Sequence, residues 1–397
     1  MRKHWMDNLR WVTVLLVLFY HVIYFYNNKG VFGGIGGFGP YPEYPQYQDV
    51  VMYLLYPWFM PLLFLLAGIS ARYALEKHDG RTWFKARTRK LLVPGTVGLF
   101  VFHWMVGYFN TAVAARSGML DGVPGVAKYA VWAISGCGPL WFIQDLWFFS
   151  LLLLLVRKLD AKNRFYDACG RMGMIPIILL GILFCLGEYT LVRHPRPETA
   201  DGLFNLYKPF FYLIPFLMGY FVFANDTVQQ KLRQAWIPLL CCAVVSGVAL
   251  VVMTFGQDNT TPQYLASPLN CLYGWVMCLA MMGWFIAKFD KTNAFAGYMT
   301  RSSFGIYIVH YLVIVSLGYM MKVYTQLPPV ALYLILIIAV FTLSPLIYET
   351  LRRIPFVRWC VLGEKKKVKT NTQSPFSRQQ NRNLNQQPPT AKLTNTK

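Results

Sequence analysis

The sequence predicts an all-α integral membrane protein of about ten transmembrane helices with both termini in the cytoplasm. Of its 397 residues, 56% are apolar and only 14% are charged, against roughly 25% charged in soluble domains. The apolar residues gather in uncharged runs of about 20, long enough to cross a bilayer. The basic residues are sorted by side. With alternate loops on alternate sides, 31 Lys and Arg share the side of the termini and 7 take the other, so the positive-inside rule makes the first side cytoplasmic. That asymmetry accounts for the net charge of +21 without nucleic acid as a partner, and no nucleic-acid motif accompanies it.

The first span, near 11–26, follows a basic N-terminus. It begins beside Arg10, carries His21 inside and lacks a small-residue cleavage pattern, so it reads as a retained helix rather than a signal peptide. Residues 27–50, rich in Gly, Pro and Tyr, form an outer loop. Spans near 51–71 and 91–109 flank a basic cytoplasmic segment, 72–90, and Pro94 interrupts the second of them. Further spans fall near 139–156, 172–190, 204–223, 236–255, 269–287, 304–321 and 329–348, with Pro209 and Pro215 breaking the one at 204–223. Lipid tolerates such breaks only where protein or water satisfies the freed carbonyls. Residues 1–361 thus make one membrane domain. Residues 362–397, basic and rich in Asn and Gln, hold too few apolar side chains to offset ordering and read as a disordered cytoplasmic tail. The eight cysteines have no metal-like spacing and read as reduced structural residues, with a Cys137–Cys271 bridge as the alternative.

Ionisable groups inside apolar spans are costly and mark functional sites by default. Arg10 and His21 are 11 residues apart. On a helix that separation places them on one face, about 16 Å apart along the axis. Asp145 and Gln144 enter the fourth span about two turns below its outer end, where Asp145 could orient an imidazole or bind an acceptor hydroxyl. His310 in the ninth span is a further catalytic candidate, with a structural hydrogen bond as its alternative role. His103 and Glu188 are weaker candidates, with structural or interfacial roles favoured. Trp141 could offer a platform to a sugar ring or simply pack. Arg87 and Lys90, three residues apart on one helical face, could bind the phosphates of a coenzyme; the same basic segment would equally attract anionic membrane lipids.

The stretches DNLRWVTVLLVLFYH, FLLAGIS, FKARTRKLLVP, PLWFIQDLWF, FYLIPFLMGY, SSFGIYIVHYLVIV and YETLRRIPFVRW occur in that order over residues 5–361. In this the chain resembles the membrane acyltransferase 3 family, especially its glucan-modifying MdoC-like branch. The resemblance implies a membrane-bound O-acyltransferase of the bacterial plasma (inner) membrane. It would move an acyl group, acetyl or succinyl, from cytoplasmic acyl-coenzyme A to a hydroxyl of an envelope or extracellular glycan. It implies that Arg10 and His21 are the characteristic first-span pair, with His21 as general base, and that Arg87 and Lys90 hold acyl-coenzyme A. Lys90 stands where the family usually has a second arginine, and Pro139 where a histidine commonly precedes the Leu140-Trp141-Phe142 segment. A succinyl donor would want a further cation, for which Arg193, Arg196 and Lys208 are the choices. Direct transfer and an acyl-histidine intermediate both remain open, and no metal is expected. The competing readings are a transporter or flippase of a glycan or lipid-linked substrate, and a noncatalytic membrane partner.

Overall fold

The computed structural model describes residues 3–26, 47–113, 117–192, 208–259 and 261–364. Among them every regular element is helical. The principal helices are α1 (His4–Phe25), α2 (Val50–Lys77), α3 (Gly80–Val113), α4 (Gly125–Ser135), α5 (Trp141–Leu159), α6 (Met174–Leu191), α7 (Pro209–Phe223), α8 (Asp226–Gln234), α9 (Trp236–Thr254), α10 (Pro268–Lys288), α11 (Ala294–Tyr324) and α12 (Pro329–Leu351). Nine helices among the described residues are long and apolar enough to cross a membrane, and the bent pair α7–α8 makes up to ten. The chain is a multi-pass membrane protein. Most of the outer loop 27–50 and all of the tail after Glu364 lie outside the described residues, as do Arg193 and Arg196.

The span expected at 204–223 is the one that departs most. Its described part, α7, is only Pro209–Phe223, and it turns by 96° into the amphipathic α8. Asn225 sits at that corner, its side chain donating to the carbonyls of Phe221 (2.8 Å) and Val222 (3.2 Å) where the helix turns.

A second departure matters more for the site. α4 was not expected from hydropathy, yet it packs antiparallel along the far half of α3. The two backbones nearly touch: a Cβ on Gly107 would lie 1.8 Å from the Trp132 carbonyl oxygen, and one on Gly136 would lie 1.9 Å from that of His103. After a break at Gly136–Leu140, α5 runs along the other half of α3. There Gln144 meets Gly95, Trp147 donates to Thr88, and Leu154 faces Gly80. α4 and α5 therefore line α3 in succession, with a break beside His103. Gly138 carries the interruption, adopting φ 41, a left-handed conformation that glycine takes without a Cβ penalty. Asp145 lies just past the break, in the second turn of α5.

Without a water-driven hydrophobic effect between helices, close backbone approach and interhelical hydrogen bonds hold such a bundle together. Gly68 of α2 and Gly219 of α7 make a second such pair, each pressed on the other helix's backbone. Pro61 leaves the Pro57 carbonyl without its intrahelical donor, and α10 reaches that spot because Gly274 has no side chain there. The central helix is α1, packed against α2, α10, α11 and α12. Peripheral helices show the opposite pattern: Leu179, Ile182 and Leu186 on α6, and Val245, Val248 and Val252 on α9, are exposed, as a lipid-facing surface requires. Lys3, Lys77, Lys158 and Lys288 mark one end of the bundle, hereafter the basic end.

Candidate functional site

α1 and α11 lie side by side in parallel. Trp11 meets Phe295 edge-on with ring centres 5.7 Å apart, and further along the Tyr26 hydroxyl donates to the Gly318 carbonyl at 2.9 Å. This register brings His21 to His310, 289 positions away in sequence: His21 Nδ1 and His310 Nε2 are 3.1 Å apart in the buried interior. On the other side of its ring, His310 Nδ1 lies 2.6 Å from the Tyr307 carbonyl oxygen.

The hydrogen-bond network assigns the protons. A carbonyl only accepts, so His310 Nδ1 must carry the hydrogen, and the Nε2 of the neutral ring is then an acceptor. His21 Nδ1–H donates to it. The Val17 carbonyl also accepts from the His21 ring, which is consistent with a proton on Nδ1. The His21 Nε2 lone pair is left free to take a proton from another molecule. The group expected to orient this ring was Asp145 or a backbone carbonyl. The structure puts His310 in that position, with the Tyr307 carbonyl behind it.

Arg10 lies about three helical turns toward the basic end from His21, donating to Ser70 Oγ at 2.6 Å and pairing with Asp7 at 3.3 Å. Arg87 and Lys90 on α3 converge on it, close enough that the three charges act on one another. Lys90 Nζ lies over the Phe304 ring at 5.0 Å, and Arg87 Nε is buried without a hydrogen-bond partner. A segment with no role assigned from sequence walls this cluster. The short helix Pro355–Cys360 packs on α3 at Gly98, and Gly363 (φ 63) lies on the backbone of Lys90, with Glu364 near enough to act on its charge. Cations outnumber acids in this half-buried place. It is suited to a multiply charged anion.

Near the helix break, Tyr307 donates to the Pro139 carbonyl, one turn of α11 from His310. Asp145 Oδ2 is buried with no hydrogen-bond partner, and its field reaches Tyr307, Tyr212 and Cys137. Gln144, expected to touch an acceptor, is committed elsewhere: its amide donates to the Gly95 carbonyl at 2.7 Å and accepts from Cys137 Sγ at 3.4 Å, tying α5 to α3. Cys137 is thus engaged with Gln144, while Cys271 Sγ points to the Leu265 carbonyl at 3.6 Å; both are free thiols, and no bridge joins them. Trp141 belongs to an aromatic group with Tyr212 (5.4 Å) and Phe64 (6.2 Å).

From His21 toward the far end the side chains form a cluster of tyrosines. Tyr20 meets the His21 ring edge-on and stacks near Tyr24 and Tyr56, and Lys208 donates to the Tyr56 hydroxyl at 3.4 Å. Glu188 lies buried within the field of Lys208. His103, read from sequence as a weaker candidate, lies at the level of the helix break and within electrostatic reach of His310. Among the described residues no three His, Cys, Asp or Glu side chains have the geometry of a metal site.

The family model described as an acyltransferase domain, that of the acyltransferase 3 family, matches residues 3–349. No curated protein and no solved structure matches the chain.

Proposed function

The chain belongs to the acyltransferase 3 family, and from that membership we propose that it transfers an acyl group from acyl-coenzyme A to a hydroxyl of an envelope glycan, with His21 as general base. The observation that carries this reading is the His21–His310–Tyr307 chain of hydrogen bonds, which leaves one imidazole nitrogen unprotonated and free inside the bundle.

The basic end, with most Lys and Arg, is assigned to the cytoplasm of a bacterial inner membrane. Coenzyme A would lay its phosphates on Arg10, Arg87 and Lys90. Arg10 and His21 are separated by about 16 Å along α1, a distance suited to an extended pantetheine arm, so the thioester would reach the histidine pair. The acceptor would enter along Tyr24, Tyr56 and Tyr20, rings able to stack on sugar faces and donate to their hydroxyls. His21 Nε2 would take the proton from the acceptor hydroxyl as that oxygen attacks the thioester carbon. The C–S bond then breaks, the thiolate takes the proton from the imidazolium, and the products are an ester and coenzyme A. The positive charge on His21 would be shared with His310 and the Tyr307 carbonyl. Resemblance to the MdoC-like branch favours a glucan acceptor and an acetyl or succinyl donor.

Two expected results arise from this arrangement. Arg87→Gln and Lys90→Gln should each raise the KM for acyl-coenzyme A by roughly 10- to 10²-fold, the worth of one charge-assisted hydrogen bond, with kcat little changed; steady-state thiol release in detergent or nanodiscs measures both. An unchanged KM in both variants would remove the donor assignment. His310→Phe keeps a ring in place but removes the acceptor for His21 Nδ1–H, so kcat should fall roughly 10- to 10²-fold. Combined with His21→Ala it should add nothing further, since the pair acts as one unit. Additive losses would show that His310 works apart from His21.

A further inference from the structure

His103 is 2% exposed, and neither of its ring nitrogens has a hydrogen-bond partner. Whichever tautomer it takes, a neutral imidazole carries one N–H, and a buried donor left bare is destabilising. The surrounding backbone is irregular in two ways. His103 ends a π-helical turn, Leu99–His103, of the kind that re-aims side chains at functional sites. The break between α4 and α5 lies directly against it, with Gly136 on the His103 carbonyl and Pro139 held by Tyr307. The N-terminus of α5, a helix of 19 residues entered through the 3-10 turn Gly138–Leu140, therefore lies beside His103, where its dipole favours negative charge. His310, which orients His21, is near enough to act on His103.

We propose that His103 donates its free N–H to the carbonyl oxygen of the bound thioester and stabilises the oxyanion that forms there, assisted by the N-terminal turn of α5. This rests on the acyl-transfer reading and extends it. As the acceptor oxygen bonds to the thioester carbon, the C=O electron pair moves onto oxygen and His103 holds that charge. The pair returns as the C–S bond breaks and the thiolate takes the proton held by His21. His21 and His103 thus divide the work: one moves the proton and the other steadies the charge. His103 would neither gain nor lose a proton in the cycle.

The test uses purified full-length protein in nanodiscs, with His103→Leu and His103→Gln beside wild type. Three quantities are measured: kcat for thiol release, equilibrium affinity for acyl-coenzyme A, and affinity for a coenzyme A trifluoromethyl ketone, whose hydrate mimics the tetrahedral intermediate. His103→Leu should lower kcat by roughly 10²-fold, the usual effect of removing one oxyanion donor. It should weaken the ketone by a similar factor and leave acyl-coenzyme A affinity unchanged. His103→Gln, which keeps an N–H donor, should recover a large part of both losses. Wild-type kcat in His103→Leu would overturn the proposal. So would equal losses in both variants accompanied by loss of acyl-coenzyme A binding, which would make His103 a packing residue. Absence of thiol release by wild type would instead refute the acyl-transfer reading itself.

Discussion

His21→Ala should lower kcat for acyl transfer by roughly 10²- to 10⁴-fold, the range for loss of a positioned general base, while leaving the affinity for acyl-coenzyme A near the wild-type value. The donor phosphates are expected on Arg10, Arg87 and Lys90, about 16 Å from the imidazole along the helix axis, so removing the ring should not loosen the donor. The measurement is thiol release with saturating donor and acceptor, alongside equilibrium donor binding. The loss should be large because, among the described residues, no other histidine has one ring nitrogen fixed by a second imidazole and the other left open. His310 has one nitrogen bound to the Tyr307 carbonyl and the other turned toward His21, and Asp145 acts electrostatically on Tyr307, Tyr212 and Cys137 instead. If the reaction ran through an acyl-histidine, the same substitution would abolish it by removing the nucleophile. Rapid-quench mass measurement on wild type separates the two routes, because only the second leaves an acyl group on the protein.

Gly68→Ala should be a severely damaging single methyl at the α2–α7 crossing of this bundle. The new Cβ would lie 2.0 Å from the Phe216 carbonyl oxygen and 2.8 Å from the Tyr220 nitrogen, both backbone atoms of α7. Neither can swing away as a side-chain tip could, so the two helices must separate. Overpacking a well-filled interior costs about 1–3 kcal/mol, and a backbone clash belongs at or above the top of that range. α7 also carries Tyr212 and leads into the 96° bend at α8, so displacing it should disturb the aromatic group around Trp141 as well. The expected result is a marked fall in folded, monodisperse protein and in its thermal midpoint. Gly125→Ala is the matched control, since a Cβ there meets nothing within 4 Å. Equal behaviour of the two variants would show that the α2–α7 crossing is looser than described.

The sequence made the membrane architecture readable because lipid imposes a simple rule: runs of about 20 apolar residues with few charges. It failed at α4, whose 11 residues include Lys128 and are followed by Gly136, Cys137, Gly138 and Pro139. No window of spanning length could include α4 without crossing that break. The helix break just before Asp145 and Gln144 was therefore missed. The first-span pair was legible because a fixed helical period relates Arg10 to His21. The partnership of His21 with His310 was not, since only the packing of α1 on α11 creates it. Arg87 and Lys90 could be paired from their spacing, but the wall supplied by Pro355–Cys360 and Gly363 depends on the chain returning across α3. His103 looked like a lone histidine in an apolar run. What distinguishes it is the absence of any partner for either nitrogen and the helix break beside it, both of which are properties of the fold.

The central claim is that the histidine pair inside this bundle makes esters on envelope glycans. Mass spectrometry of those glycans, from cells producing wild type or His21→Ala at equal levels, tests it most directly. The account predicts that wild type adds the mass of an acyl group, acetyl or succinyl, to glycan hydroxyls, removable by mild base, and that His21→Ala adds none. Identical acyl content in the two strains would contradict it, as would movement of unmodified glycan across the membrane that depends on wild type without any added mass.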